Sequence, residues 1–114
     1  MTEQDADIEV DLTLLKVKGN IEDRTERKEY VKGLAGALFM VVQKHGIARM
    51  RCVGAAAISN ATKAHIIANG EATKKGMTFA CVPNFKTITF SDAGGPDVEK
   101  TAIVLEIKVV ESFS

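Results

Sequence analysis

The spacing of apolar and polar residues changes several times along the chain, and each change predicts an element. Over residues 12–19 the pattern alternates: Thr13, Leu15 and Val17 share one face, and Lys16 and Lys18 share the other with Leu12 and Leu14. That is the period of a strand, and Gly19-Asn20 ends it. Residues 21–28 read as a charged loop, with Thr25 as the expected N-cap and Glu26 in the first turn beyond it. From residue 29 to 45 the period becomes helical, with Val31, Leu34, Ala35, Leu38 and Val41 or Val42 recurring and Gly46 as the stop. Residues 48–54 alternate again, Met50 and Cys52 one way and Arg49, Arg51 and Val53 the other.

Residues 54–57 are a small-residue turn into a second helix over about residues 58–70. Ile58, Ala61, Ile66 (or His65) and Ile67 are its expected apolar side, with Lys63 outward. Ser59 and Asn60 fit its start, where free N–H groups favour an anion. Thr73-Lys74-Lys75-Gly76 is a basic turn. Residues 77–83 form a third strand with Phe79 and Cys81 on one face, and Pro83 implies an edge or a bulge. Residues 85–90 continue extended, residues 91–96 (SDAGGP) have hairpin-loop composition, and a fourth strand covers residues 100–110. In it Thr101, Ile103, Leu105, Ile107 and Val109 face one side, Glu106 and Lys108 the other.

The predicted order is β-α-β-α-β-β with short connections. It gives an α+β two-layer sandwich: a mixed four-stranded sheet with two helices on one face. Arg49 and Arg51 cannot both be buried on one strand face without partners, so the second face of the sheet is expected to be open. Gly33, Gly36 and Ala37 form a small-residue patch on the first helix, for which close packing is the expected reason. Phe85 and Phe90 are expected in the core.

Length and charge sharpen this frame. The chain has 114 residues, enough for a single domain, read as residues 12–114 behind an acidic tail of residues 1–11. An apolar fraction of 46% with 26% charged excludes wholesale disorder. No apolar run is long enough to span a bilayer, and the acidic N-terminus does not look like a secretory leader, so a cytoplasmic location is expected, with the nucleoid as one address. The formal net charge is zero. That sum hides an uneven distribution. Glu3, Asp5, Asp7, Glu9 and Asp11 stand in the tail without a base, whereas residues 44–90 hold seven bases against Glu71 alone.

Motifs for catalysis are missing from the pattern. There is no GxSxG, GxGxxG or P-loop run and no carboxylate pair spaced for acid–base work, so no enzyme, catalytic residue or small-molecule substrate is inferred. Cys52 and Cys81 sit in apolar runs and read as buried reduced thiols. Their spacing with His45 and His65 matches no zinc pattern, so no metal or cofactor is expected. What remains is basic surface. Lys16, Lys18, Arg49 and Arg51 are expected on the open sheet face, with Lys63, Lys74, Lys75 and Lys86 as a rim able to contact phosphates.

The segments LKVKG (15–19), VKGLAGAL (31–38), MRCVGAAAISNATKAHIIANG (50–70), CVPNF (81–85) and KTAIVLEI (100–107) resemble the stage V sporulation protein S (SpoVS) family, itself related to Alba-like domains. The resemblance runs from Leu15 nearly to the end and keeps the element order above. It implies a SpoVS/Alba-like fold, a homodimer, and a nucleic-acid-binding (DNA-binding) or gene-regulatory role in sporulation and development. Lys63 matches a lysine of the SpoVS pattern in the second helix. In Alba the turn before that helix and the hairpin arm are basic. Here they read Gly54-Ala55-Ala56-Ala57 and carry Asp92, Asp97 and Glu99, which does not suit an Alba-style minor-groove grip. The expected function is therefore a non-enzymatic nucleic-acid-binding regulator. The alternative is a protein-interaction or scaffolding module of the same fold.

Overall fold

The computed structural model describes residues 11–90 and 94–111. Its elements are β1 (Leu14–Val17), α1 (Arg24–His45), β2 (Ile47–Cys52), α2 (Ala55–Thr73), β3 (Met77–Phe90) and β4 (Val98–Glu111). They form one mixed sheet in the order β1-β2-β4-β3, with β1 parallel to β2 and both remaining pairs antiparallel. Both helices cover the same face, so the predicted α+β sandwich is the fold observed.

The core lies between that face and the helices. Val31, Leu34, Leu38 and Val42 of α1 meet Ala48, Met50, Cys52, Phe79, Leu105 and Ile107 of the sheet. Leu38 is fully buried, and its truncation to Ala would cost about 2–5 kcal/mol through lost transfer energy and the cavity left behind. Cys52 is buried and free; desolvation, helped by nearby Cys81, pushes its thiol up to about 11. Both cysteines are unpaired, and Cys81 is half-buried.

Several boundaries differ from expectation. α1 starts at Arg24, capped by Asp23 rather than Thr25: the Glu26 backbone N–H donates to Asp23 Oδ1 at 2.9 Å. The Asp-x-x-Glu run and the helix-forming Arg24, Arg27 and Lys28 turn the expected loop into a first helical turn. Gly46 ends α1 as expected, at φ 78°, with its N–H donating to the Val42 carbonyl at 2.7 Å. α2 is longer than predicted because Ala55, Ala56 and Ala57 belong to the helix rather than to the turn before it. Alanine is the best helix former, and Gly54, at φ 91°, makes the entry.

The apolar side of α2 needs a larger correction. Ile66 and Ile67 are exposed; the buried stripe is Ala57, Ala61, Ala64, Ala68 and Ala72 together with Asn60, while Ile58 packs at the core's margin. Small side chains let this helix lie close to the sheet, where isoleucines would hold it off. Asn60 is buried, and its Nδ2 donates to the carbonyls of Lys18 and Gly19 at 2.9 and 3.0 Å, tying α2 to the end of β1.

β3 runs unbroken through Pro83, which stands opposite Leu105 on the sheet edge. An edge strand tolerates the missing N–H. β3 and β4 stay paired as far as Phe90 and Val98, beyond the last contact of β4 with β2 at Ile103. This hairpin leaves Phe85 81% and Phe90 41% exposed, so neither is a core residue. The small-residue patch on α1 also differs. A Cβ built on Gly33 or Gly36 would meet nothing within 4 Å, so none of the described residues packs closely there.

Candidate nucleic-acid interface

The strand register assembles the uncovered face of the sheet. Lys16 stands beside Arg51, Arg51 faces Val104, and Val104 faces Asn84, making one row across all four strands. The next row runs Leu14, Arg49, Glu106 and Val82. Lys86 stands opposite Ala102 further along the hairpin. A shallow hollow of about 250 Å³ lies between these rows, lined by Arg49, Arg51, Phe85, Lys86, Asp11 and Glu106 among others.

The two carboxylates at this hollow are already engaged. Arg49 reaches Asp11 at 3.9 Å and Glu106 at 3.6 Å, and its Nη1 donates to Thr13 Oγ1 at 2.8 Å. Glu106 also holds Lys108 at 3.0 Å. The hydrogen bond from Lys108, then the charges of Lys108 and Arg49, holds the Glu106 carboxyl below its ordinary value. Asp11 is lowered chiefly by hydrogen bonds from the Thr13 hydroxyl and backbone N–H, with smaller effects from Arg49 and Lys86. Arg49 is thus a bridging residue within the face. Among the described residues Lys16, Arg51 and Lys86 make no ion pair, and they are the cations this face offers to an anion.

The remaining expected residues lie elsewhere. Lys18 follows the last residue of β1; its N–H donates to Tyr30 Oη at 2.7 Å and its carbonyl accepts from Asn60. Lys63 is on α2, in the helix layer, and does not rim the sheet face. Lys74 pairs with Glu71 at 3.1 Å, and Lys75 sits 5.1 Å from the centroid of the Phe39 ring. These three stand apart from Lys16 and Arg51 because α2 covers the opposite face of the sheet.

Sequence reasoning missed a second basic region. Lys63 shares a cleft of about 620 Å³ with Arg24, Arg27, Lys28 and Lys32 of α1. The signal was present in the helical spacing of the four α1 residues, but reading residues 21–28 as a loop removed the period that would have shown it.

Among the described residues no cluster of three His, Cys, Asp or Glu side chains suits a metal ion. The His65 ring Nε2 donates to the Phe79 carbonyl, which joins α2 to β3. No described helix is long and apolar enough to cross a membrane. The element order, the alanine-lined α2 and the proline-bearing edge strand all fall within residues 13–110, the span matched by the family model for stage V sporulation protein S (SpoVS), and the chain belongs to that family.

Proposed function

We propose that this SpoVS-family chain has a sporulation-related role as a non-enzymatic, nucleic-acid-binding regulatory protein, acting in the cytoplasm as a homodimer. The observation that carries the reading is the uncovered sheet face. Lys16 and Arg51 stand side by side on it, Lys86 flanks them, and among the described residues the acidic neighbours of the hollow, Asp11 and Glu106, are taken up by Arg49 and Lys108. Cations on a flat strand lattice suit the regular spacing of phosphates, and such contacts position a nucleic acid without reading its sequence.

The test is a fluorescence-anisotropy titration with duplex DNA and single-stranded RNA across salt. Binding at low salt should weaken with a log–log slope of roughly −3, as expected for about three neutralised phosphates. Lys16→Glu combined with Arg51→Glu should weaken it by about a hundredfold, whereas Arg49→Gln should change it less. No binding to either polymer at low salt, or binding indifferent to the double reversal, would overturn the reading. Sedimentation at several concentrations tests the homodimer. The alternative of a protein-interaction module draws on a different surface, between the helices.

A further inference from the structure

α1 and α2 run side by side in the same direction across the sheet, and the seam on their outer side is lined throughout. At its first end lies the cleft of Arg24, Arg27, Lys28, Lys32 and Lys63, floored by Val31, Ile66 and Ile67. Lys32 and Ile67 also line a second hollow of about 400 Å³, which continues past Gly36 to Phe39 and Met40. The two form one groove. Residues 24–40 of α1 correspond to about 24 Å of helix, or four to five turns.

Three properties of this groove find no explanation inside the chain. First, its floor is apolar yet uncovered: Met40 is 69% exposed, Ile66 64% and Ile67 43%. Secondly, its first end is purely cationic. No carboxylate lines the cleft, and among the described residues none of its five cations makes an ion pair. Arg24, Lys28 and Lys32 recur at i, i+4, a like-charge spacing that weakens a helix by itself. Glu26 and Glu29 belong to the same stretch of α1 but do not line the cleft. Thirdly, Gly36 lies in the groove with nothing near its missing Cβ, and glycine is disfavoured in a helix interior.

We propose that the α1–α2 groove is a docking site for an acidic amphipathic helix of a partner protein. Its apolar residues would lie over Ile66, Ile67 and Met40, its backbone would come close at Gly36, and carboxylates at one end would meet the five cations. Such a ligand relieves all three features at once, and helix-in-groove recognition uses this combination of apolar anchors and charged ends. A second copy of this chain is a poor occupant, because it brings the same cations to the contact. A nucleic acid is also a poor fit, because the exposed floor is aliphatic and Phe39, the aromatic at the far end, is packed against Phe79 and Lys75.

The probe is a fluorescein-labelled synthetic peptide of about 18 residues, long enough for the groove at 1.5 Å per residue. It carries leucines at i, i+3, i+4 and i+7 spacing and glutamates concentrated in two adjacent turns. Two controls replace the glutamates by glutamines or scramble the leucine spacing. The full-length protein should bind the probe saturably, and each control about tenfold or more weakly. Gly36→Leu, which projects a side chain into the groove from a position where the Cβ meets no atom within 4 Å, should weaken probe binding by about tenfold, as should Lys63→Glu with Arg27→Glu. Ile67→Asp provides a second groove variant, and thermal melts establish that each variant folds. DNA binding should be unchanged by Gly36→Leu, so failure here is distinct from failure of the sheet-face reading. The proposal falls if probe and scrambled control bind alike, or if Gly36→Leu and Ile67→Asp leave probe binding intact. It also falls if Gly36→Leu instead dissociates a wild-type dimer, or abolishes DNA binding.

Discussion

The uncovered sheet face and the α1–α2 groove are both rich in bases, yet they are different electrostatic objects. On the sheet, Lys16, Arg49, Arg51, Lys86 and Lys108 share the surface with Asp11 and Glu106. Strand register sets Arg49 directly opposite Glu106, and two bases are tied to carboxylates there. At the first end of the groove, Arg24, Arg27, Lys28, Lys32 and Lys63 face one another over aliphatic side chains, with no described carboxylate in the lining there; Glu71, paired with Lys74, lines only the far end. Counting bases does not separate these regions; the placement of counter-charges and the polarity of the floor do. The first suits phosphates spaced along a backbone, the second a ligand that is both acidic and apolar.

The sharpest way to break this comparison is to reverse charge on one region at a time. Lys16→Glu with Arg51→Glu should lower DNA affinity at low salt by about a hundredfold and leave acidic-peptide binding within about threefold. Arg27→Glu with Lys63→Glu should do the opposite. Anisotropy with both probes reads the exchange, and equal losses in all four measurements would mean that the regions act as one undivided field.

Next in size is a variant that should affect both regions together. Asn60→Ala leaves the carbonyls of Lys18 and Gly19 without their buried donor, at a cost of about 1–3 kcal/mol. Urea unfolding should show a lower midpoint with an unchanged slope. A smaller effect of opposite sign is expected on α1, where Gly33→Ala and Gly36→Ala should each stabilise by up to about 1 kcal/mol, because the new methyl meets nothing and alanine favours the helix. A fall in stability would show that these glycines have an intramolecular role.

The smallest effects concern the acids of the sheet face. Glu106→Gln should release Arg49 and Lys108 and raise DNA affinity a few-fold at low salt, with stability little changed because the bridges are solvent-exposed. Both carboxyls have lowered values in the fold, so any stability they contribute is present above the ordinary carboxylate range and lost as pH falls through the lowered values. DNA affinity should therefore not respond to these two groups between pH 8 and about 5, and should rise only in more acid solution as Arg49 and Lys108 are freed. Deletion of residues 1–10, which carry four acids and no Lys or Arg, should also raise DNA affinity at low salt, since the chain enters the sheet face at Asp11 beside Arg49. Unchanged affinity would show that this segment does not screen the face.

Much of the architecture was legible from residue spacing. Alternation placed Met50 and Cys52 inward and Arg49 and Arg51 outward, and the helical recurrence of Val31, Leu34, Ala35 and Leu38 identified the buried side of α1. Gly46 announced the helix end, and Pro83 the sheet edge. Legibility failed where two residue types competed for one role. On α2 the isoleucines looked like the core side, but the alanines take it because the sheet lies close. Phe85 and Phe90 looked like core because they are large, but the hairpin outruns the helices that would cover Phe85, and register turns Phe90 to the open face beside Lys100. The eight expected basic residues divide in space: Lys16, Arg49, Arg51 and Lys86 share the open face, Lys18 follows the end of β1, and Lys63, Lys74 and Lys75 belong to the helix layer.

By itself the sequence determined the element order, the faces of the strands, the open second face of the sheet and the family, because these depend on periods of two and 3.6 residues and on local motifs. Tertiary structure decided which charges meet. Arg49 and Glu106 are far apart in sequence and are brought together only by antiparallel register; Lys63 joins Arg24, Arg27, Lys28 and Lys32 only because α1 and α2 lie side by side. Charge acts through distance, and distance between residues remote in the chain is fixed by packing.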